Sequence, residues 1–124
     1  MLAIKQVFDL SSNDSFLLYF DQFLDDFKRA SREEKVQAVK DEPVMYDRFA
    51  KNKYCIVAAA VEMLANQYDF PAPEWVFAEN YKMKRPYYEF NTTIKAYQAL
   101  LRDVTPIEFR HRNLYVYPNV IDRV

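Results

Sequence analysis

The chain has 124 residues and not one glycine. Glycine is the residue that takes positive φ without steric cost and lets backbone approach a ligand or another chain closely. A phosphate loop of the Walker type, a dinucleotide fingerprint and a strand-to-helix nucleophile elbow each need it, so all three are excluded. Tight two-residue hairpins lean on it as well, which disfavours an all-β fold. Helices can do without it, because Asn can close a helix in the left-handed region. An all-α protein is the class left standing.

The periodicity agrees. Phe16, Phe20, Phe23, Leu24 and Phe27 recur at helical spacing, with Asp21, Asp25, Asp26 and Lys28 between them. A helix is expected over 14–30, after the capping side chains of SSND. SREE at 31–34 has the form of a capping box, Ser31 with Glu34, and opens a short helix that Pro43 stops. The longest helix is expected from Met45 to Tyr68. Its middle, CIVAAAV, is apolar on every face, as in a central helix surrounded by others. Asn66 or Asp69, then Pro71, should end it. A further helix is expected over 92–103. TPIEF reads as another start, with Thr105 as cap, Pro106 in the first position and Glu108 in the third. LYVYPNVIDRV alternates enough to be extended before a final turn. Residues 1–10 are either an arm or a short helix. The expected architecture is one compact helical domain over 1–124, built around the central apolar helix.

Residues 71–90, PAPEWVFAENYKMKRPYYEF, break this pattern. Three prolines deny them a long helix, and six aromatic residues make them unlike a polar loop. Ten Tyr, ten Phe and one Trp are more rings than so small a domain hides, so some should form an apolar surface for a partner or a second copy. Trp75, Tyr81, Arg85, Tyr87 and Tyr88 are the expected contact residues, since Tyr, Trp and Arg dominate protein hot spots. The same stretch, KMKRPYY, mixes bases with rings as a single-strand binder does. Lys82, Lys84, Arg110 and Arg112 are candidate phosphate or carboxylate contacts. A nucleic-acid-binding regulator is therefore the alternative to a protein contact. Overall charge favours neither: it is −1, with residues 1–47 acidic and residues 48–124 mildly basic.

His111, the single histidine, sits between Arg110 and Arg112 in PIEFRHRN. No nucleophile–base pair accompanies it, so a structural or contact role is expected and no catalytic residue is assigned. One His and one Cys, 56 positions apart, offer no zinc spacing, and no metal or cofactor is expected. Cys55, the lone cysteine, cannot form an internal disulfide, which fits a cytoplasmic chain. The N-terminus lacks the apolar core of a signal peptide, and no run approaches the ~20 apolar residues of a membrane span.

Several stretches together resemble a group of small bacterial proteins tied to toxin–antitoxin and defence systems. These are FLDDFKRASREEKVQAVKDEP (23–43), YCIVAAAVEMLANQYDFPAPEWV (54–76), RPYYEF, and TPIEFRHRNLYVYPNVIDRV with its closing basic residue Arg123. The resemblance spans about residues 20–124. Its most specific part is the order P-x-P-x-W, then P-x-x-F-R-x-R-N. Some longer members carry a helix-turn-helix domain upstream, and some are encoded beside nucleotidyltransferase-like partners. No such domain is read in this sequence. The resemblance therefore implies a non-enzymatic antitoxin that covers the nucleotide- or RNA-binding site of a cognate toxin, such as a nucleotidyltransferase-like one, by direct contact. A phage or defence protein binding some other host protein is the further alternative.

Overall fold

A computed structural model describes residues 1–122 and is all-α in class. Its helices are α1 (Ile4–Leu10), α2 (Phe16–Arg29), α3 (Arg32–Lys40), α4 (Lys51–Gln67), α5 (Lys95–Val104) and α6 (Ile107–Arg110). Two two-residue strands, β1 (Tyr87–Tyr88) and β2 (Leu114–Tyr115), complete it. The chain divides into two compact units, Met1–Ala50 and Lys51–Asp122. Among the described residues, no helix is long and apolar enough to cross a membrane. Arg123 lies outside the described residues.

The first unit is held by phenylalanines. Phe16, Phe20, Phe23 and Phe27 form the predicted stripe on α2, and all four are buried. Neighbouring rings along it lie 5.6–6.1 Å apart. Phe8 and Phe49 join the ladder edge-on at 5.3 Å. Residues 1–10 are the short helix rather than an arm: Ile4, Val7 and Phe8 are fully buried. Gln6 accepts the Ala3 N–H at 2.8 Å to start that helix. The capping box forms as read, with Ser31 Oγ accepting from Glu34 N–H and Glu34 accepting from Ser31 N–H. SSND differs. Ser12 and Ser15 bind each other's backbone N–H, and no side chain caps α2.

The long helix starts six residues later than its hydrophobic pattern. Residues 45–50 are diverted into a clasp over α1. The Arg48 guanidinium donates to the Phe8 and Ser11 carbonyls at 2.7 and 3.1 Å and lies over the Tyr46 ring. Tyr46 donates its hydroxyl to Asp9 at 2.5 Å. The Lys5 ammonium and that hydroxyl hold the Asp9 carboxyl below its ordinary range. These bonds satisfy orphan carbonyls at the end of α1, which a helix through 45–50 would leave open.

In the second unit α4 is the apolar helix expected, with Cys55 and every residue from Val57 to Val61 buried. It packs against α6 and against two 3₁₀ turns, Glu74–Phe77 and Glu79–Tyr81, that PAPEWVFAENY forms. β1 and β2 pair in parallel, Tyr87 opposite Leu114 and Tyr88 opposite Tyr115. Thr105 does not cap α6. It is buried at the end of α5, its hydroxyl against the Leu101 and Val116 carbonyls and accepting the Val116 N–H at 3.0 Å. Pro106 then takes the cap position, one place before that expected.

Without glycine, four other residues among those described take positive φ: Asp69, Phe90, Asn91 and Asn113. Asp69 falls after α4, where a helix stop was expected, and Asn113 falls just after α6. Asn and Asp enter this region at low cost, but a bulky residue there costs roughly 1–2 kcal/mol. Phe90 is thus the strained position.

Candidate functional site

PIEFRHRN is an anchored corner, and Arg112 is its post. Phe109 is fully buried and anchors the corner in the core. Arg112 is fully buried too, so of its two expected roles the carboxylate contact is the one it fills, and a phosphate contact is ruled out by its burial. Its guanidinium pairs with Glu62 of α4 at 2.6 Å, donates to the Val76 carbonyl at 2.7 Å and donates to the Glu108 carbonyl at 2.6 Å. It also lies 5.7 Å from the centre of the Phe77 ring. Its Nε–H meets no acceptor among the described residues. Burying a charge is costly unless it is paired, and here one arginine ties α4, the Trp75 turn and α6 together.

This post orders the histidine. His111 Nε2 lies 2.7 Å from Glu62 Oε1 and 3.0 Å from Arg112 Nη1. Both Nη1 hydrogens are already used, on Glu62 and on the Glu108 carbonyl. Nε2 therefore carries the proton and donates to Glu62. Glu108 is not a partner of the flanking arginines through its carboxylate. It accepts instead from Asn66 at 2.9 Å.

Two hollows lie on either side of Met83. One, of about 440 Å³, is lined by Lys51, Lys82, Lys84, Arg110, His111 and Asn113, with Glu79 also contributing and Arg112 in its wall. The other, of about 520 Å³, is lined by Arg85, Pro86, Tyr87, Tyr88, Asn91 and Gln98. The divider is stitched in place: Met83 N–H donates to the Arg112 carbonyl at 3.0 Å, and Asn113 Nδ2 donates to the Met83 carbonyl at 3.3 Å. Tyr87 N–H donates to the Asn113 carbonyl at 3.0 Å and carries the pairing on into the strands.

The five expected contact residues separate. Trp75 and Tyr81 are buried against each other, ring centres 5.2 Å apart, so they are core and not contact surface. The 3₁₀ turns that carry them pack on α4, and this turns both rings inward. Arg85 is exposed, while Tyr87 and Tyr88 are half-buried, and all three line the second hollow. Tyr88 stacks on Tyr115 at 5.1 Å and receives a hydrogen bond from Arg102 at 2.6 Å. Tyr97 donates to Glu89 at 2.9 Å, and its ring lies 6.4 Å from that of Tyr117.

The sequence reading passed over this α5 side of the cluster. Phe90 is 81% exposed, Ile94 65% and Leu100 40%. Leu101 is the one fully buried position among the ten of α5, although Ile94, Tyr97, Leu101 and Val104 recur on one face. The available signal was an amphipathic helix following a ring-rich segment, which located the helix over 92–103 but not which face stays open.

Among the described residues, no three His, Cys, Asp or Glu side chains gather as a metal site. Cys55 is buried in α4, and burial pushes its thiol up to about 11. A thiol reagent at neutral pH should therefore label the native protein on the order of a hundredfold more slowly than the denatured chain. Stopped labelling followed by mass spectrometry measures both rates.

Comparison with protein-family models, with curated proteins and with solved structures returned no match for this chain.

Proposed function

We propose that this is a non-enzymatic binding protein whose contact face runs over Tyr87, Tyr88, Phe90 and the open side of α5. The observation that carries the reading is Phe90, a large apolar ring held at φ 59 and left 81% exposed. Strain at an exposed aromatic is a mark of a functional contact. Around it stand Ile94, Leu100 and the Tyr88–Tyr115–Arg102 group, the residue types that dominate binding hot spots.

Of the binding roles, the antitoxin of a toxin–antitoxin pair is the one the P-x-P-x-W and P-x-x-F-R-x-R-N resemblance favours. The partner would be a toxin whose nucleotide- or RNA-binding site is covered, and the acidic residues 1–47 would draw a basic toxin surface. Co-expression with the product of the adjacent gene tests this. The pair should copurify, and the neighbour expressed alone should be toxic. Phe90→Asp with Ile94→Asp should weaken the complex by at least about a hundredfold, because two apolar contacts are lost and two charges are desolvated, while melting is unchanged. A neighbour that is harmless alone and does not copurify would sink the antitoxin role. Copurification with some other host protein would favour the defence alternative. Light scattering across concentrations tells whether the same face also joins two copies of this chain.

The second reading, a nucleic-acid-binding regulator, draws on the cations of the first hollow and Arg85. Its affinity should fall steeply with salt, and absence of binding at low salt would remove it.

A further inference from the structure

We infer that the hollow between α4, the 82–84 segment and the end of α6 binds the phosphate group of a small phosphate monoester. Four cations from three separate parts of the chain, Lys51, Lys82, Lys84 and Arg110, line it together. The one carboxylate among its lining residues, Glu79, is paired with Lys82 at 3.5 Å. Lys51 and Lys84 have no carboxylate within ion-pair distance among the described residues. Arg110 donates one N–H to the Thr105 carbonyl at 2.9 Å and keeps other donors open. A chain of net charge −1 thus concentrates unneutralised positive charge in one concavity. Such clustering is self-repulsive, and an anion relieves it.

The site is built rather than incidental. The 82–84 and 110–113 segments, which carry three of its four cations, are joined backbone to backbone through Met83 and Arg112, and Asn113 secures the Met83 carbonyl. The buried Arg112–Glu62 pair fixes the 110–113 corner and commits His111 Nε2 to Glu62. His111 is itself one of the lining residues. A volume of about 440 Å³ lies in the range of small-molecule sites. The cations converge on a concavity instead of tracking a groove, which suits a terminal phosphate dianion better than a polymer backbone. This inference does not rest on the protein-contact face, which lies around Phe90 and α5.

Calorimetric titration and thermal melting at constant ionic strength test it, with inorganic phosphate, adenosine monophosphate, chloride and a short single-stranded RNA as probes. Phosphate and the nucleotide should bind and raise the melting temperature, while chloride should not. Lys51→Ala and Lys84→Ala, both unpaired surface substitutions, should each weaken binding about tenfold, the loss of one charge-assisted contact. Lys40→Ala, at an exposed lysine of α3 that lines none of these hollows, should leave it unchanged. A nucleotide that binds tighter than inorganic phosphate places part of the site on the nucleoside, and equal affinities place it on the phosphate alone. Indistinguishable behaviour of phosphate and chloride, wild-type binding by the two lysine variants, or binding of RNA only would each overturn the inference. None of these results bears on copurification with a protein partner.

Discussion

Arg112→Ala is expected to lower the unfolding free energy by about 3–5 kcal/mol, the cost of breaking a buried ion pair from one side. That is a large part of the roughly 5–15 kcal/mol that holds a domain of this size together. The substitution leaves the Glu62 carboxylate, 15% exposed, without its main counter-charge, and it removes the donors to the Val76 and Glu108 carbonyls. It also opens a void beside Phe77. Urea unfolding followed by Trp75 fluorescence measures the loss. The paired variant Glu62→Leu with Arg112→Met should recover part of it, because an apolar pair leaves no unpaired charge. A melting temperature of Arg112→Ala equal to the parent's would overturn the structural role and return Arg112 to the surface.

Tyr81→Ala is expected to cost about 3–5 kcal/mol, as for other fully buried aromatic rings cut to alanine. Tyr81 is 0% exposed and supports Trp75, so the cavity opens beneath the fluorophore itself. Tyr88→Ala makes the comparison. Its ring is half-buried on the second hollow, and its loss should cost under about 1 kcal/mol. The two variants should differ oppositely in partner binding, with Tyr88→Ala impaired and Tyr81→Ala intact wherever it is folded. Wild-type stability of Tyr81→Ala together with lost binding would make it a contact residue after all.

These two residues show where pattern reading stopped. Tyr81 and Tyr88 stand in one ring-rich, proline-broken segment that has neither the 3.6 nor the 2.0 period. Without a period there is no face, so nothing local separates the ring that turns inward from the one that turns out. The separation comes from the 3₁₀ turns seated on α4 and from the pairing of β1 with β2, contacts made across roughly thirty positions of sequence. Arg110 and Arg112 pose the same problem within three residues. Both read alike as candidate phosphate or carboxylate contacts. Only Arg112 meets Glu62, fifty positions away, and that meeting decides its burial.

Elsewhere the local rules sufficed. The Phe stripe of α2, the Ser31–Glu34 box and the apolar middle of α4 are legible because each depends on neighbours within a turn or two. The start of α4 was misplaced for a reason that lies outside the helix, the Arg48 clasp on the α1 carbonyls. By itself the sequence determined the helical class, since a chain with no glycine and repeated 3.6-residue apolar spacing favours few other folds. It also placed a helix start within TPIEF, which α6 then follows. Tertiary structure alone decided which cations gather in one hollow, which arginine became a buried post and which rings stay in water. The physical reason is that burial and charge pairing are set by the nearest atoms in space, and for Arg112, Tyr81 and Lys51 most of those atoms belong to residues far along the chain.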